Sequence, residues 1–132
     1  MRKDIEIPIV KDVHVAVVYE WNKDFLAREW NAYLINNRKT AIEMTIVVSK
    51  GYDGTVKTSV MRHGLGTVAA KSFVKIELLQ EEVLALNNEF YLTFFADNKL
   101  YEKRFVFAKN TISQKACASL PVMESEGILC PE

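Results

Sequence analysis

The sequence has no surplus of either charge and no long hydrophobic run. Its 17 lysine and arginine residues balance 17 aspartate and glutamate residues, which gives a formal net charge of zero. Because generic nucleic-acid binding usually leaves a basic surplus, this balance argues against nucleic acid as a partner, although it leaves room for a small basic patch. No window approaches the roughly 18 uncharged apolar residues of a transmembrane helix, so we expect no membrane span.

The first residues lack the features of a secretion signal. Met1–Pro8 begins with basic residues but continues with acids and a proline instead of an unbroken apolar stretch. Cysteine is also scarce, since the chain contains only Cys117 and Cys130. We therefore expect a cytoplasmic protein with two reduced thiols. A disulfide that closes the C-terminal segment is the alternative, and it would need an oxidising compartment or a redox role.

Metal-binding, cofactor-binding and catalytic motifs are missing as well. Neither cysteine has a second cysteine or a histidine at the usual spacing of about two to four residues, and His14 and His63 lie far from both, so we expect no metal site. The glycine motifs that bind phosphates, the Gly-x-Ser-x-Gly elbow and the His-Glu-x-x-His motif do not occur. These absences predict a non-enzymatic protein without a cofactor.

A catalytic role for His63 is the alternative that the motifs leave open. This residue follows Arg62 in the glycine-bearing segment 62–66, which we predict to be a loop, and Ser59 lies four residues before it. A Ser–His–acid triad would need these groups assembled in space, and two histidines in the chain give such a site little to work with. We expect His63 to be an exposed loop residue.

Alternating apolar and polar residues dominate what the sequence does contain. A chain of 132 residues with 49% hydrophobic residues is long enough for one domain with an ordinary core. Runs such as Val13–Tyr19, Ile42–Val48 and Ser72–Leu79 alternate with a period of two, which is typical of half-buried strands. We predict an all-β, antiparallel β-sandwich of about seven to eight strands with one short helix near residues 80–86, and a small barrel is the structural alternative.

Local features refine this architecture. Pro8 has no backbone N–H, so the first strand, Ile5–Ile9, should lie at a sheet edge, and Thr55–Met61 is a second candidate edge strand. Asp97-Asn98 suits a two-residue hairpin turn because both residues tolerate a positive φ angle. The alternation ends after Ala108, so we expect residues 1–108 to form the domain. Residues 109–132 are then a tail that adds one short strand or is partly disordered.

Two segments carry a resemblance to known modules. Trp30–Asn37 and Ala41–Val48 give a strand ending in asparagine, a polar turn and a further strand. In this order of elements, over about residues 12–108, the chain resembles immunoglobulin-like and fibronectin-type-III-like β-sandwich modules, and the resemblance implies their sandwich fold. The Cys…Trp…Cys spacing of antibody domains is missing. The chain also resembles short bacterial all-β proteins, a likeness that implies no function.

Aromatic residues in an irregular segment are the main candidates for a binding surface. Trp21 and Phe25 lie in Glu20–Leu26, where the alternation breaks. Such residues are usually part of the core or its rim, but exposed aromatics anchor protein interfaces. We therefore predict a protein-interaction or self-assembly module that binds a protein partner or a second copy of itself.

Two other functions are possible interpretations of the polar and basic residues in the predicted turns and strands. A pocket near Tyr52, Arg62 and His63 would indicate a small-ligand binder or an enzyme. If the fold gathered Arg38-Lys39, Lys57, Arg62 and His63 beside exposed aromatics, the chain would fit an RNA-associated accessory module. A solvated, charge-balanced face is the ordinary interpretation of these basic residues.

Overall fold

The computed structural model describes residues 8–131, which form two antiparallel β-sheets packed face to face. The strands are β1 (Val13–Asn22), β2 (Ala27–Asn36), β3 (Ile42–Asp53), β4 (Val56–Lys57), β5 (Met61–Val68), β6 (Ser72–Leu79), β7 (Asn87–Ala96), β8 (Lys99–Phe107), β9 (Ala118–Ser119) and β10 (Glu126–Leu129). Two 3₁₀ helices span Glu81–Ala85 and Gln114–Ala116. The all-β sandwich prediction is confirmed, and the alternative of a small closed barrel is wrong.

The two sheets differ in the order of their strands. The first sheet has the order β6-β2-β1-β10-β9, and the second has the order β4-β3-β7-β8, with β5 also paired to β3. β5 and β6 meet at one margin of the sandwich, where the side chains of His63 and Glu77 are in contact. Most of the predicted edge strand Ile5–Ile9 lies outside the described residues.

The core lies between the inner faces of the two sheets. Alternate residues along each central strand point inward, as a period of two requires. The fully buried side chains of this core include Val15, Val17, Leu34, Val47, Phe90, Leu92 and Phe94. Full burial of side chains of this size stabilises a fold by about 1.5–3 kcal/mol each, so this apolar layer is what holds the sheets together.

The residues after Ala108 pack on the first sheet. β10 pairs with β1 in the register Ala16↔Leu129, and the Cys130 amide donates to the Val15 carbonyl oxygen at 2.9 Å. A Cβ atom at Gly127 would collide with a backbone carbonyl of β1, so glycine is required for this close approach. A second small apolar cluster then forms on the outer face of the sheet, from Ala16, Val18, Ile35, Leu120 and Met123.

Two predictions about the middle of the chain are wrong. The segment 62–66 is part of β5 instead of a loop, and His63 pairs with Val47. Its glycines mark a β-bulge, because the pairing with β3 shifts register near Gly66, whose φ is 67°. The single strand predicted at Thr55–Met61 is divided between β4 and β5, and Thr58 between them bonds back to β3.

The described residues contain no disulfide between Cys117 and Cys130. The thiol sulfur of Cys130 lies in the core, 3.4 Å from the Val106 carbonyl oxygen. Burial raises the pKa of the Cys117 thiol, and the nearby charge of Glu126 adds to that shift, so this group stays protonated. None of the described helices has the length and hydrophobicity needed to cross a membrane.

Candidate functional site

The end of the β1–β2 hairpin carries three large apolar side chains in the solvent. Trp21 is 59% exposed, Phe25 76% and Leu26 74%. We call residues 21–28 the hairpin tip. β10 pairs with β1 only at Ala16 and Val17, and the pairing of β6 with β2 begins at Trp30. Among residues 8–131, the tip therefore has no neighbouring strand on either side.

The loop of the tip holds one apolar residue in a disfavoured conformation. Lys23–Leu26 connects the paired residues Asn22 and Ala27, and the Asn22 side-chain oxygen accepts the Asp24 amide at 2.9 Å. Leu26 has a φ of 51°, in the left-handed region that costs a side-chain-bearing residue roughly 1–2 kcal/mol. Glycine or asparagine would suit this position better, so the loop keeps a large apolar side chain despite a conformational cost.

Hydrogen bonds brace the base of the tip. One oxygen of Glu20 accepts from the Asn31 amide at 2.7 Å and from the Tyr33 hydroxyl at 2.5 Å. Burial, followed by the hydrogen bond and the charge of Glu20, raises the pKa of Tyr33, so this hydroxyl remains a donor. The Asn22 side chain donates to Glu29 at 2.9 Å. These hydrogen bonds order the base of the tip, and an ordered segment loses less entropy than a flexible one in any contact with a partner.

The two tryptophans of the chain occupy opposite environments. Trp30 is 5% exposed, and its ring lies 4.8 Å from the ring of Tyr19. Trp21 lies further along the same face of the hairpin, opposite Arg28, where the buried stripe has ended. The Arg28 guanidinium lies 5.8 Å from the centre of the Tyr19 ring. The tip thus continues the core-facing stripe into solvent.

His63 takes part in a polar contact that links the two sheets. Its Nε2 atom lies 2.7 Å from Glu77 Oε1, and the Ser49 hydroxyl donates to the same oxygen. We call these three residues the Ser49–His63–Glu77 clasp. In a catalytic triad the histidine stands between the serine and the acid, whereas here the carboxylate is in the middle. The clasp joins β3, β5 and β6 and does not include Ser59, so it lacks the arrangement of an activated nucleophile.

The remaining candidate residues do not form one site. Tyr52 lies on the outer face of the second sheet, where its hydroxyl is 3.3 Å from an Arg104 nitrogen. Arg62 is exposed on β5. Arg38 lies 2.6 Å from Asp97 at the end of the sandwich away from Lys57. The predicted basic group is therefore dispersed, and this separation does not favour an RNA-associated module.

The clasp also contains residues that the sequence did not single out. Neither Ser49 nor Glu77 carries a motif, and they come together only because β3 and β6 lie on opposite sheets. Asn88, which is buried at the start of β7 and is not part of the clasp, was not singled out either. Within residues 8–131, no group of three or more histidine, cysteine, aspartate or glutamate residues is arranged to hold a metal ion.

Comparison with protein-family models, with curated proteins and with solved structures found no match to this chain. The immunoglobulin-like resemblance of the sequence therefore stays a prediction within the confirmed sandwich class.

Proposed function

We propose that this protein is a non-enzymatic self-association module whose hairpin tip binds the tip of a second copy. The observation that carries this proposal is the joint exposure of Trp21, Phe25 and Leu26 on an unflanked projection. Soluble monomers rarely keep large apolar side chains together in solvent, and tryptophan is enriched among the residues that dominate interface energies.

The charges of the tip favour a second copy as its occupant. Lys23, Asp24 and Arg28 place both signs on the same short segment. In a two-fold interface every surface meets its own equivalent, so the basic groups of one copy can lie opposite the acidic group of the other. The net charge of zero leaves little long-range repulsion between two copies.

The size of the tip predicts a modest affinity. Three apolar side chains and a few rim charges form a small interface, and small interfaces are generally weak or transient. Apolar contacts should provide most of the affinity, because exposed charge pairs contribute little and are screened by salt. We therefore expect association that depends on concentration and persists in high salt.

Light scattering over a concentration series, in low and high salt, tests the proposal. The average mass should rise from 15.1 kDa towards twice that value in both buffers. The double substitution Trp21→Ala with Phe25→Ala should hold the mass at that of the monomer. Leu100→Ala is the matched control, since Leu100 is 50% exposed but lies on β8, and it should associate like the native protein. A native protein that is monomeric throughout, or a double variant that still associates, would contradict the proposal.

A further inference from the structure

A pocket of about 400 Å³ opens between the two sheets beside the Ser49–His63–Glu77 clasp. β3, β6, β7, the first 3₁₀ helix and the segment 58–61 enclose it. Its apolar walls include Leu79, Val83 and Phe90, of which Leu79 and Phe90 are almost completely buried. A volume of this size is within the usual range of small-molecule sites, roughly 300–1,000 Å³.

Two hydrogen-bond acceptors in the pocket lack donors within the described part of the chain. Glu77 uses Oε1 for both Ser49 and His63, and its Oε2 accepts no hydrogen bond from residues 8–131. Asn88 is 4% exposed, and its amide nitrogen donates to the carbonyl oxygens of Val83 at 2.9 Å and Leu86 at 3.0 Å. The Asn88 side-chain oxygen accepts none in the same range. Neither oxygen is among the fully buried side-chain atoms that lack a partner, so both are accessible and can accept a hydrogen bond from a ligand in the pocket.

The positive side chain closest to the pocket is directed elsewhere. Lys50 contributes to the lining, but its ammonium nitrogen lies 3.7 Å from a Glu89 oxygen and 5.8 Å from the centre of the Tyr52 ring. Both partners belong to the outer face of the second sheet. His63 contacts only Oε1 of Glu77, so Oε2 remains available to a ligand.

We propose that this pocket binds a primary ammonium group carried on an apolar body, with Glu77 as its anchor. An ammonium group has three donors and no acceptor, so it can bond to Glu77 Oε2 and to the Asn88 side-chain oxygen together. A hydrogen bond between two charged groups is stronger than a neutral one. The apolar body then contacts Leu79, Val83 and Phe90 in place of water.

Titration with phenethylammonium chloride tests this assignment, with heteronuclear NMR following the amide signals of Val83, Asn88 and Phe90. Two ligands of similar shape serve as comparisons: the neutral 2-phenylethanol and the anionic 3-phenylpropionate. We expect saturable shifts with the ammonium compound, at least tenfold weaker binding of the alcohol and no binding of the carboxylate.

Glu77→Gln is the central variant because glutamine keeps one oxygen for Ser49 and His63, removes the charge and replaces the Oε2 acceptor with an NH2 donor. Loss of a charged hydrogen bond is worth about a factor of ten or more in affinity, so we expect the dissociation constant for phenethylammonium to rise at least tenfold. Glu82→Gln is the matched control, since Glu82 is an exposed acid on the neighbouring helix and does not line the pocket. It should bind like the native protein.

Val83→Phe keeps the proposal testable if Glu77→Gln fails to fold. The larger ring fills the apolar side of the pocket and leaves Glu77 intact, and it should weaken ammonium binding at least tenfold. Absence of binding by the native protein, equal binding of the alcohol, or unchanged affinity in either pocket variant would overturn the proposal. Because the pocket is separate from the hairpin tip, the monomeric Trp21→Ala, Phe25→Ala variant should bind the ammonium compound as the native protein does.

Discussion

The two long hairpins of this protein end in opposite ways. The β7–β8 hairpin closes with two residues, Asp97 at a φ of 56° and Asn98 at 60°, both of a type that tolerates this conformation. Side chains outside the turn hold its end in place. An Arg38 guanidinium nitrogen donates to the Asp97 carboxylate at 2.6 Å, and the Tyr101 hydroxyl donates to the same carboxylate at 3.2 Å. The β1–β2 hairpin closes with four residues and presents Phe25 and Leu26 to solvent.

This difference shows that the apolar tip is not a requirement of turn formation. The β7–β8 hairpin shows that this chain can connect two strands with a two-residue polar turn whose side chains are hydrogen-bonded to neighbouring residues. At the β1–β2 turn it instead places leucine at a φ of 51°, where a smaller or more polar residue would be less strained. Backbone strain that persists on an exposed loop is often associated with function, so the contrast supports a binding role for the tip.

Replacing Lys23–Leu26 with Asp-Asn should have the largest effect, because it converts one hairpin end into the other. The closing pair Asn22↔Ala27 would then be joined like Ala96↔Lys99. Loss of two anchor side chains typically weakens an interface by roughly thirtyfold or more, so the variant should be monomeric in sedimentation experiments. A second variant with Phe25→Ser and Leu26→Asn keeps the loop length and should behave alike. Native association in both variants would show that the contrast has no bearing on binding.

Leu26→Gly should separate stability from association. Glycine relieves the left-handed strain, so we expect the free energy of unfolding to rise by about 1 kcal/mol in urea denaturation at low protein concentration. Association should weaken several-fold in the same variant because the leucine contact is lost. Lys23→Gly is the control, since Lys23 has no positive φ, and it should not gain stability. A Leu26→Gly protein that is less stable and associates normally would contradict our interpretation of the strain.

The charge arrangement of the tip predicts a smaller effect, of about a few-fold in affinity. Lys23→Glu gives a more acidic tip and Asp24→Lys a more basic one, so each variant alone should associate more weakly than the native protein. An equimolar mixture should recover the affinity, because the two altered tips complement each other. The mass of the mixture in low salt provides the measurement. A mixture no stronger than either component would show that the tips do not face one another.

The smallest expected effect concerns the β7–β8 hairpin, whose turn residue Asp97 contacts Arg38 and Tyr101. The hydrogen bond from Arg38 is the main reason that the pKa of Asp97 lies below its ordinary value. A lowered carboxyl pKa in the folded state adds stability above the ordinary pKa, and this contribution disappears as the pH falls through the folded value. Arg38→Ala should therefore raise the pKa of Asp97, and its stability deficit should be present near pH 7 and disappear as the pH falls through the lowered pKa that Asp97 has in the native protein. Carbon-detected NMR titration measures the pKa, and Tyr101→Phe should move it less. An unchanged pKa in Arg38→Ala would show that Arg38 does not hold the turn.

The sequence predicted those parts of the fold that depend on local pattern. Alternation identified the strands, and Asp97-Asn98 identified a two-residue turn, which the structure confirms. Trp21 and Phe25 could be selected because the alternation breaks around them and leaves large aromatics among polar neighbours.

The clasp and the pocket could not be predicted in this way. The pairing of β2 with β6 shifts register between Ala32 and Tyr33, so Ile76 is an extra residue on β6. Beyond it the alternation reverses: Leu79 is buried, Leu78 is 42% exposed, and Glu77 reaches across to the other sheet. A bulge depends on the strand beside it, and the pocket needs segments far apart in the chain, so neither has a local signal.

The two tryptophans allow the most direct test of self-association through the tip. Their indole N–H signals report on one exposed residue, Trp21, and one buried residue, Trp30, in the same spectrum. We predict that dilution shifts the Trp21 signal along a binding curve that matches the change in mass, whereas the Trp30 signal stays in place. A rise in mass with an unchanged Trp21 signal, or no rise in mass at all, would contradict the account.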